Sequence, residues 1–285
     1  MSRLRAYQLG TTGGKFSLFN KENKYFILIE ARLTELSEES LEDEMDTCGV
    51  TTIDLLHITS WDEDHCNAEE LEKILYNYFP KRIEYPPYCP CTENGEKSLK
   101  LIQNYNNTMK NITCQPMSNN YIRSLNGAKE KVKRNVVYNI DYFNLEKSND
   151  NSLVKLFRNC EFNVMSLGDV ESGEIRDYLM TCSIFKNEIE VLILPHHGAD
   201  NGFITDEFLK TTKPIIAICS SNYGNQYDHP DEAIKNMLYQ NNIPIVTTKT
   251  GDVTIEYIGN SKIEVINFIN NGWKVSSINK YELKG

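Results

Sequence analysis

Apolar residues in the first quarter of the chain fall in short compact runs. KYFILIEARL (24–33) and TTIDLLHI (51–58) carry no 3.6-residue period, so each predicts a buried strand. AEELEKILYNYF (68–79) differs: Leu71, Ile74, Leu75 and Tyr78 recur at helical intervals, which predicts an amphipathic helix directly after the second strand. The polar stretch between them, TSWDEDHCN (59–67), therefore lies at a strand-to-helix junction, where α/β proteins assemble sites. It crowds Asp62, Glu63, Asp64 and His65 together, and such neighbours titrate abnormally unless water or a cation receives them.

From about 85 to 150 the pattern weakens. Nine asparagines lie between Asn94 and Asn135, and the prolines of YPPYCP (85–90) mark turns. This stretch reads as irregular, either a binding insertion or a surface excursion. Order then returns. NSLVKLF (151–157) and FNVMSL (162–167) predict a hairpin, GDVESGEIRDYLM (168–180) a turn into a helix, and IEVLILP (189–195) a buried strand ending at HHGADNG. PIIAICS (214–220) predicts another strand, DHPDEAIKNMLYQ (228–240) a helix with Pro230 in its first turn, and IPIVTT, GDVTIEY and KIEVINF late strands. Mixed strands and helices in this order predict a layered α/β protein without solenoid repeats or a domain linker.

Composition narrows the function classes. The 285 residues, 40% hydrophobic and 25% charged, are ordinary for a soluble globular chain. No run approaches the ~18 apolar residues of a membrane span, and MSRLRAYQLG lacks a signal-peptide core, so a cytoplasmic protein without a membrane partner is expected. The eight cysteines lack the paired spacings of a zinc knuckle or a disulfide scaffold; Cys66 beside His65, and Cys89 with Cys91, are weak metal candidates against the commoner buried free thiol. A net charge of -10 argues against sequence-independent adhesion to nucleic acid. The segment 93–134 runs the other way, with eight basic residues against three acidic ones, whereas ELSEESLEDEMD (35–46) holds seven acids and no base and reads as a solvated helix face.

Only five histidines occur, at 57, 65, 196, 197 and 229. Four of them fall just after predicted strands or at the mouth of a helix, and Asp62, Asp64 and Asp169 occupy similar junctions. Packing places structural histidines singly, so this distribution points to a metal centre. Imidazole and carboxylate are the usual ligands of Zn, Mn or Fe, and a hydrolytic site keeps one position open for water.

These pieces resemble a known family. HITSWDEDHCN (57–67) looks like a variant of the metallo-β-lactamase signature His-x-His-x-Asp-His, and it is similar to the hydrolase domain of the ComEC-like competence proteins, in which Asp often replaces the second His, as Asp62 does here. An opening YQLGTTGGKFSLF, then ILIEAR, NSLV, GDVE, LPHHG, SSNYGNQYDHP and TTKTGDVTIEY follow in the family's order, from about Ala6 to Tyr257. The resemblance implies one metallo-β-lactamase-like domain over 1–285, a four-layer αβ/βα sandwich, with the polar, locally basic stretch at about 85–150 as an insertion. It implies Asp64, His65, Asp169 and His196 as metal ligands, with His197 second to His196, Asp62 as a ligand or lining residue, and His229 as a residue that ligates metal or contacts phosphate. Gly168 and Gly198 would permit the turns that present Asp169 and the histidine pair.

Two positions depart from the family. Ser60 stands where the signature has its first His, and His57, three residues earlier, is expected to be packed. ILIEAR lacks the family's acidic-Gly ending. The resemblance thus implies one or two divalent ions, Zn or Mn, with the position served by the first His weakened.

The implied activity is metal-dependent hydrolysis of a phosphodiester, as a nuclease or phosphodiesterase, with hydroxide generated on the metal. Asp64 would orient the nucleophile and take its proton, and His229 would serve the leaving oxygen or the oxyanion. A single-stranded nucleic acid fits the basic segment, with Tyr105 and Tyr121 to stack bases; a nucleotide or cyclic nucleotide is the second substrate class. Two other classes compete: a catalytically impaired binding or regulatory module, with a protein partner in an operon-encoded complex, and a structural metal in a protein that interacts through its acidic 35–46 face.

Overall fold

The computed structural model describes residues 2–126, 135–137, 147–224, 228–269 and 274–284. Strands β1 (Arg3–Ala6), β2 (Phe16–Asn20) and β3 (Tyr25–Ile29) form an antiparallel meander. After helix α1 (Glu35–Cys48), the strands β4 (Leu55–His57), β5 (Arg82–Tyr85) and β6 (Thr113–Pro116) extend it in parallel, linked by α2 (Ala68–Asn77) and α3 (Glu93–Thr108). Helix α4 (Asn119–Asn126) leads towards a second sheet, which begins with β7 (Asn135–Val137), β8 (Lys155–Asn159) and β9 (Phe162–Ser166). Helices α5 (Gly173–Met180) and α6 (Ser183–Asn187), strand β10 (Val191–Ile193), helix α7 (Asp206–Thr212), strand β11 (Ile216–Cys219), helix α8 (Glu232–Gln240) and strand β12 (Ile245–Thr247) complete it, with β9 to β12 parallel. The chain then returns to β1 through β13 (Val253–Gly259), and β14 (Lys262–Ile269) and β15 (Lys274–Glu282) widen that edge. Among the described residues the sheet orders are β15-β14-β13-β1-β2-β3-β4-β5-β6 and β12-β11-β10-β9-β8-β7.

Alternation along the strands makes the four layers. In β3, Phe26 and Leu28 face the helices α1 to α3, while Ile27 and Ile29 face the second sheet. In β10, Val191 and Ile193 meet the first sheet, and Leu192 points outward to α5 to α8. The central parallel strands are thus covered on both faces, which is why the sequence shows compact apolar runs there and not a two-residue alternation. The result is the expected αβ/βα sandwich. Within the described residues no helix is long and apolar enough to cross a membrane.

The stretch from 85 is regular as far as 126: α3 is the longest helix described, capped by the Thr92 side chain and buried through Gly95, Ser98, Ile102 and Tyr105. Asn104, Asn106 and Asn107 lie on its solvent side, while Asn94 turns inward to donate to Cys66 O and accept from Ala68 N, so polarity there marks a face of a helix and not a loop. Tyr105 is fully buried, with its hydroxyl donating to Pro80 O, and the Tyr121 hydroxyl accepts from Arg82 at 2.6 Å, so neither ring is a free platform for bases. Lys129, Lys131, Lys133 and Arg134 of the basic segment lie outside the described residues. Pro230 precedes the cap Asp231 and so lies outside α8. The acidic 35–46 helix is only partly solvated: Glu44 is buried and bonds Arg3 at 2.8 Å, and Asp43 bonds Arg5 at 2.7 Å.

Lys15, between β1 and β2, is fully buried, with its ammonium 3.2 Å from Ser37 O and over the Tyr7 ring. Burial, only partly offset by Asp252, Glu70 and Glu38, pulls its pKa down to about 7. Between pH 7 and the ordinary Lys value the unfolded chain binds more protons, so stability rises with pH across that window. We expect Lys15→Met to stabilise the fold by roughly 2–3 kcal/mol at pH 6, with the gain shrinking as pH climbs towards 10, measured by urea unfolding at several pH values.

Candidate metal centre

The C-terminal ends of β4, β9, β10 and β11 open towards one edge of the sandwich, and each delivers polar residues there. After β4 the chain turns at Asp62, whose carbonyl accepts from the amides of His65 and Cys66. This turn aims Asp64 and His65 back over the strand ends. After β9, Gly168 adopts a φ of 56° and presents Asp169; a Cβ at Gly168 would sit 2.7 Å from Ser152 Cβ. After β10, His196 and His197 are both left-handed, with φ of 44° and 53°, and Gly198 follows at 81°, tight against Pro230. Two successive side-chain-bearing residues in that region cost on the order of 1–3 kcal/mol each, the kind of strain found where a site is preorganised.

This turn separates the two histidines. His197 swings inward: one ligand atom each from Asp64, His65, Asp169 and His197 lies within 4.8 Å of the other three. His196 swings out to Glu171, with Nδ1 2.6 Å from Oε1, and does not join the group. Of the two histidines, geometry brings His197 and not His196 into the group. Asp62 also stays apart, because its carboxylate accepts the Ser60 hydroxyl at 2.9 Å. His229 faces the same mouth, its ring 6.1 Å from that of His196. His57 is packed between the sheets, with Nδ1 3.1 Å from Glu84 and its ring edge-on to Phe157.

Outer contacts fix which ring nitrogens are offered. His197 Nδ1 donates to Ser220 O at 2.9 Å, leaving Nε2 towards Asp64 at 3.4 Å. His65 Nδ1 lies 3.2 Å from Glu30 Oε1 and from Thr59 Oγ1, leaving Nε2 2.9 Å from Asp169. Neither Nε2 has an aligned hydrogen bond despite these short approaches, and both are buried. Two imidazole nitrogens and two carboxylate oxygens gathered this closely fit a divalent cation.

Without an ion, the imidazoles and carboxylates of the site compensate one another's charge. Burial disfavours a charged His65, but Asp169, Asp64 and Glu30 outweigh it and hold the imidazole well above its ordinary value. Burial would raise Asp64 and Asp169, yet His65 and His197 keep both below the usual carboxylate range. His229 is lowered by burial and by its histidine neighbours, with Asp231 opposing.

Glu30 joins the site from outside the residues that the sequence pattern points to. It sits at the end of β3 with a φ of 71°, and its carboxylate accepts from Thr59 N at 3.0 Å and from Thr59 Oγ1 at 2.6 Å. The signal was the acid of ILIEAR at a strand end. Beside the cluster lies a cavity of about 60 Å³ lined by Thr12, Gly13, Ser220, Ser221, Asn222 and His229 together with Asp64, His196 and His197.

No family model matches the sequence. The chain is similar to ComE operon protein 3 of Bacillus subtilis (strain 168), 25% identical over 233 residues that make up 78% of this chain and 26% of that protein. Competence protein ComA of Neisseria gonorrhoeae is 39% identical over 59 residues, 21% of this chain and 8% of its own length. The chain thus spans about a quarter or less of these curated relatives. Among solved structures it is similar to Igni18, a metallo hydrolase from the hyperthermophilic archaeon Ignicoccus hospitalis KIN4/I, with a TM-score of 0.52 at 12% identity over 90% of this chain and 99% of that one. The sandwich and the sequence likeness together show that this chain has the metallo-β-lactamase fold and is similar to the ComEC-like competence proteins.

Proposed function

We propose that the chain is a metal-dependent phosphodiesterase or nuclease that works with one divalent ion, Zn or Mn, held by Asp64, His65, Asp169 and His197. The observation that carries this reading is the convergence of those four ligand atoms within 4.8 Å, two of them buried imidazole nitrogens without an aligned partner. A bound ion supplies Lewis acidity and brings the pKa of water down to about 7. The rest falls to the chain. Asp64, part exposed at the cavity, orients the nucleophile and accepts its proton. His229 and His196 line the same cavity and serve the leaving oxygen, and Thr12, Ser221 and Asn222 form the rest of its wall. The volume of about 60 Å³ suits a single phosphodiester group, with the remainder of a nucleotide or strand outside.

One ion, not two, follows from Ser60. Where the family's first His would stand, the Ser60 hydroxyl is engaged with Asp62, and His196 is turned to Glu171, so the donors of a second position are taken up by other partners. Elemental analysis of the purified chain is expected to find one metal equivalent. Cleavage of a chromogenic phosphodiester, of single- and double-stranded nucleic acid and of cyclic nucleotides then tests the activity. A chain that holds its ion and cleaves none of them would favour the second reading, a binding module that has lost catalysis with the first His.

Glu30 supports the centre from behind. Glu30→Gln keeps the shape and removes the charge that polarises His65; removing such a support costs about 10- to 100-fold in metal affinity, and we expect the lower end, measured by calorimetric titration of Zn into the stripped protein.

A further inference from the structure

We infer that the substrate is a small phosphodiester with a single negative charge and uncharged ester groups, and not a nucleic-acid strand. This rests on the phosphodiesterase reading above and concerns what flanks the scissile group. A protein that binds a strand neutralises successive phosphates with Lys and Arg free to do so. Around this cavity the positive charge is already matched. Among the described residues neither Lys nor Arg lines it, and each of its three histidines faces a carboxylate: His196 Nδ1 lies 2.6 Å from Glu171, His197 Nε2 3.4 Å from Asp64, and His229 Nδ1 3.6 Å from Asp231. The cations that reach residues of the wall or their partners are engaged too. Arg32, which donates to Thr12 O at 2.7 Å, is paired with Glu70 at 2.7 Å. Lys147 lies 3.9 Å from Glu171, and Lys249 lies 3.6 Å from Asp228, the neighbour of His229. The two charges that a divalent ion brings are balanced by Asp64 and Asp169.

The space next along the chain has the same character. The loop between β1 and β2 gives Thr12 and Gly13 to the cavity, and its Leu9, Gly10 and Thr11 line a groove of about 560 Å³ with Thr34, Glu35 and Leu36. The ionisable side chain of that groove is the exposed carboxylate of Glu35. An uncharged ester group, a nucleoside or a glycerol, suits such a wall; the next phosphate of a strand would meet an acid. Asp228, 96% exposed, adds a second carboxylate beside His229, and the net charge of -10 repels a polyanion from further away.

The zinc-loaded chain tests this with a chromogenic aryl phosphodiester, a cyclic nucleotide, a glycerophosphodiester and a thymidine decamer. We expect kcat/KM to favour a single-charge diester over the decamer by at least about tenfold, and the better of the cyclic nucleotide and the glycerophosphodiester identifies the ester group. Binding of a labelled decamer, followed by anisotropy, gives a readout that needs no cleavage. A protein with about six to ten phosphate contacts loses about 10³–10⁵ in affinity between about 50 and about 200 mM salt; here decamer binding should be weak and strengthen with salt as the acids are screened. Asp228→Asn, which the φ of 54° at that position tolerates, releases Lys249. It should tighten decamer binding about threefold at low salt and leave cleavage of the small diester unchanged. A decamer cleaved faster than the small diesters, binding that weakens steeply with salt, or binding unmoved by Asp228→Asn in folded protein would each overturn the inference while hydrolysis stands. A loaded chain that cleaves none of the four overturns the phosphodiesterase reading itself, a distinct result.

Discussion

His197→Ala is expected to lose the bound ion and at least about a thousandfold in phosphodiester cleavage, roughly 4 kcal/mol of transition-state stabilisation. His196→Ala, one residue away, should keep the ion. The difference rests on the two successive left-handed residues after β10, which send neighbouring side chains in opposite directions. His197 is locked by Ser220 O with Nε2 in the ligand cluster, whereas His196 meets Glu171 and lines the cavity mouth. Loss of a positioned proton donor costs typically about 100-fold or more in turnover, so His196→Ala should lower kcat by about that amount with one metal equivalent retained. Metal content and kcat measured on the same preparations separate the two roles. If His196→Ala loses the ion and His197→Ala keeps it, the assignment from the turn geometry is wrong.

Most of the scaffold can be read from residue order because parallel strands covered on both sides must be apolar throughout. That holds for 24–33, 189–195 and 214–220, all of which become central strands. Where polarity marks only one face of an element, order misleads: the asparagines of α3 conceal a helix whose buried side is Ser98, Ile102 and Tyr105. β15 escapes notice for a related reason, since a strand exposed on its edge has no need of a continuous apolar run. At the centre, strand-end placement identifies which loops converge, because every parallel strand delivers its carboxyl end to the same edge. It does not fix which of two adjacent histidines enters, which depends on backbone φ at His196 and His197. Nor does it expose Glu30, whose role is set by a hydrogen bond to a residue 29 positions on.

Asp169→Asn separates a catalytic ion from a structural one. The side chain keeps its size, loses its charge, and leaves His65 Nε2 without the carboxylate now 2.9 Å away. Ion binding and cleavage are both expected to fall by about a thousandfold or more, since the ligand that balances the charge of the cation is gone. The fold should survive. Its three large apolar clusters lie on either side of the two sheets and between them, and none of them includes Asp64, His65, Asp169 or His197. The stripped wild type should accordingly melt cooperatively, as should the variant, at a somewhat lower temperature because buried His65 loses its partner. Zinc added to each then tells them apart: the wild type is expected to gain stability as RT ln(1 + [Zn]/Kd), and the variant to gain almost none. Unfolding of the wild type on removal of the ion, before any variant is made, would mean that the metal holds the loops together and that hydrolysis must be sought elsewhere on the chain.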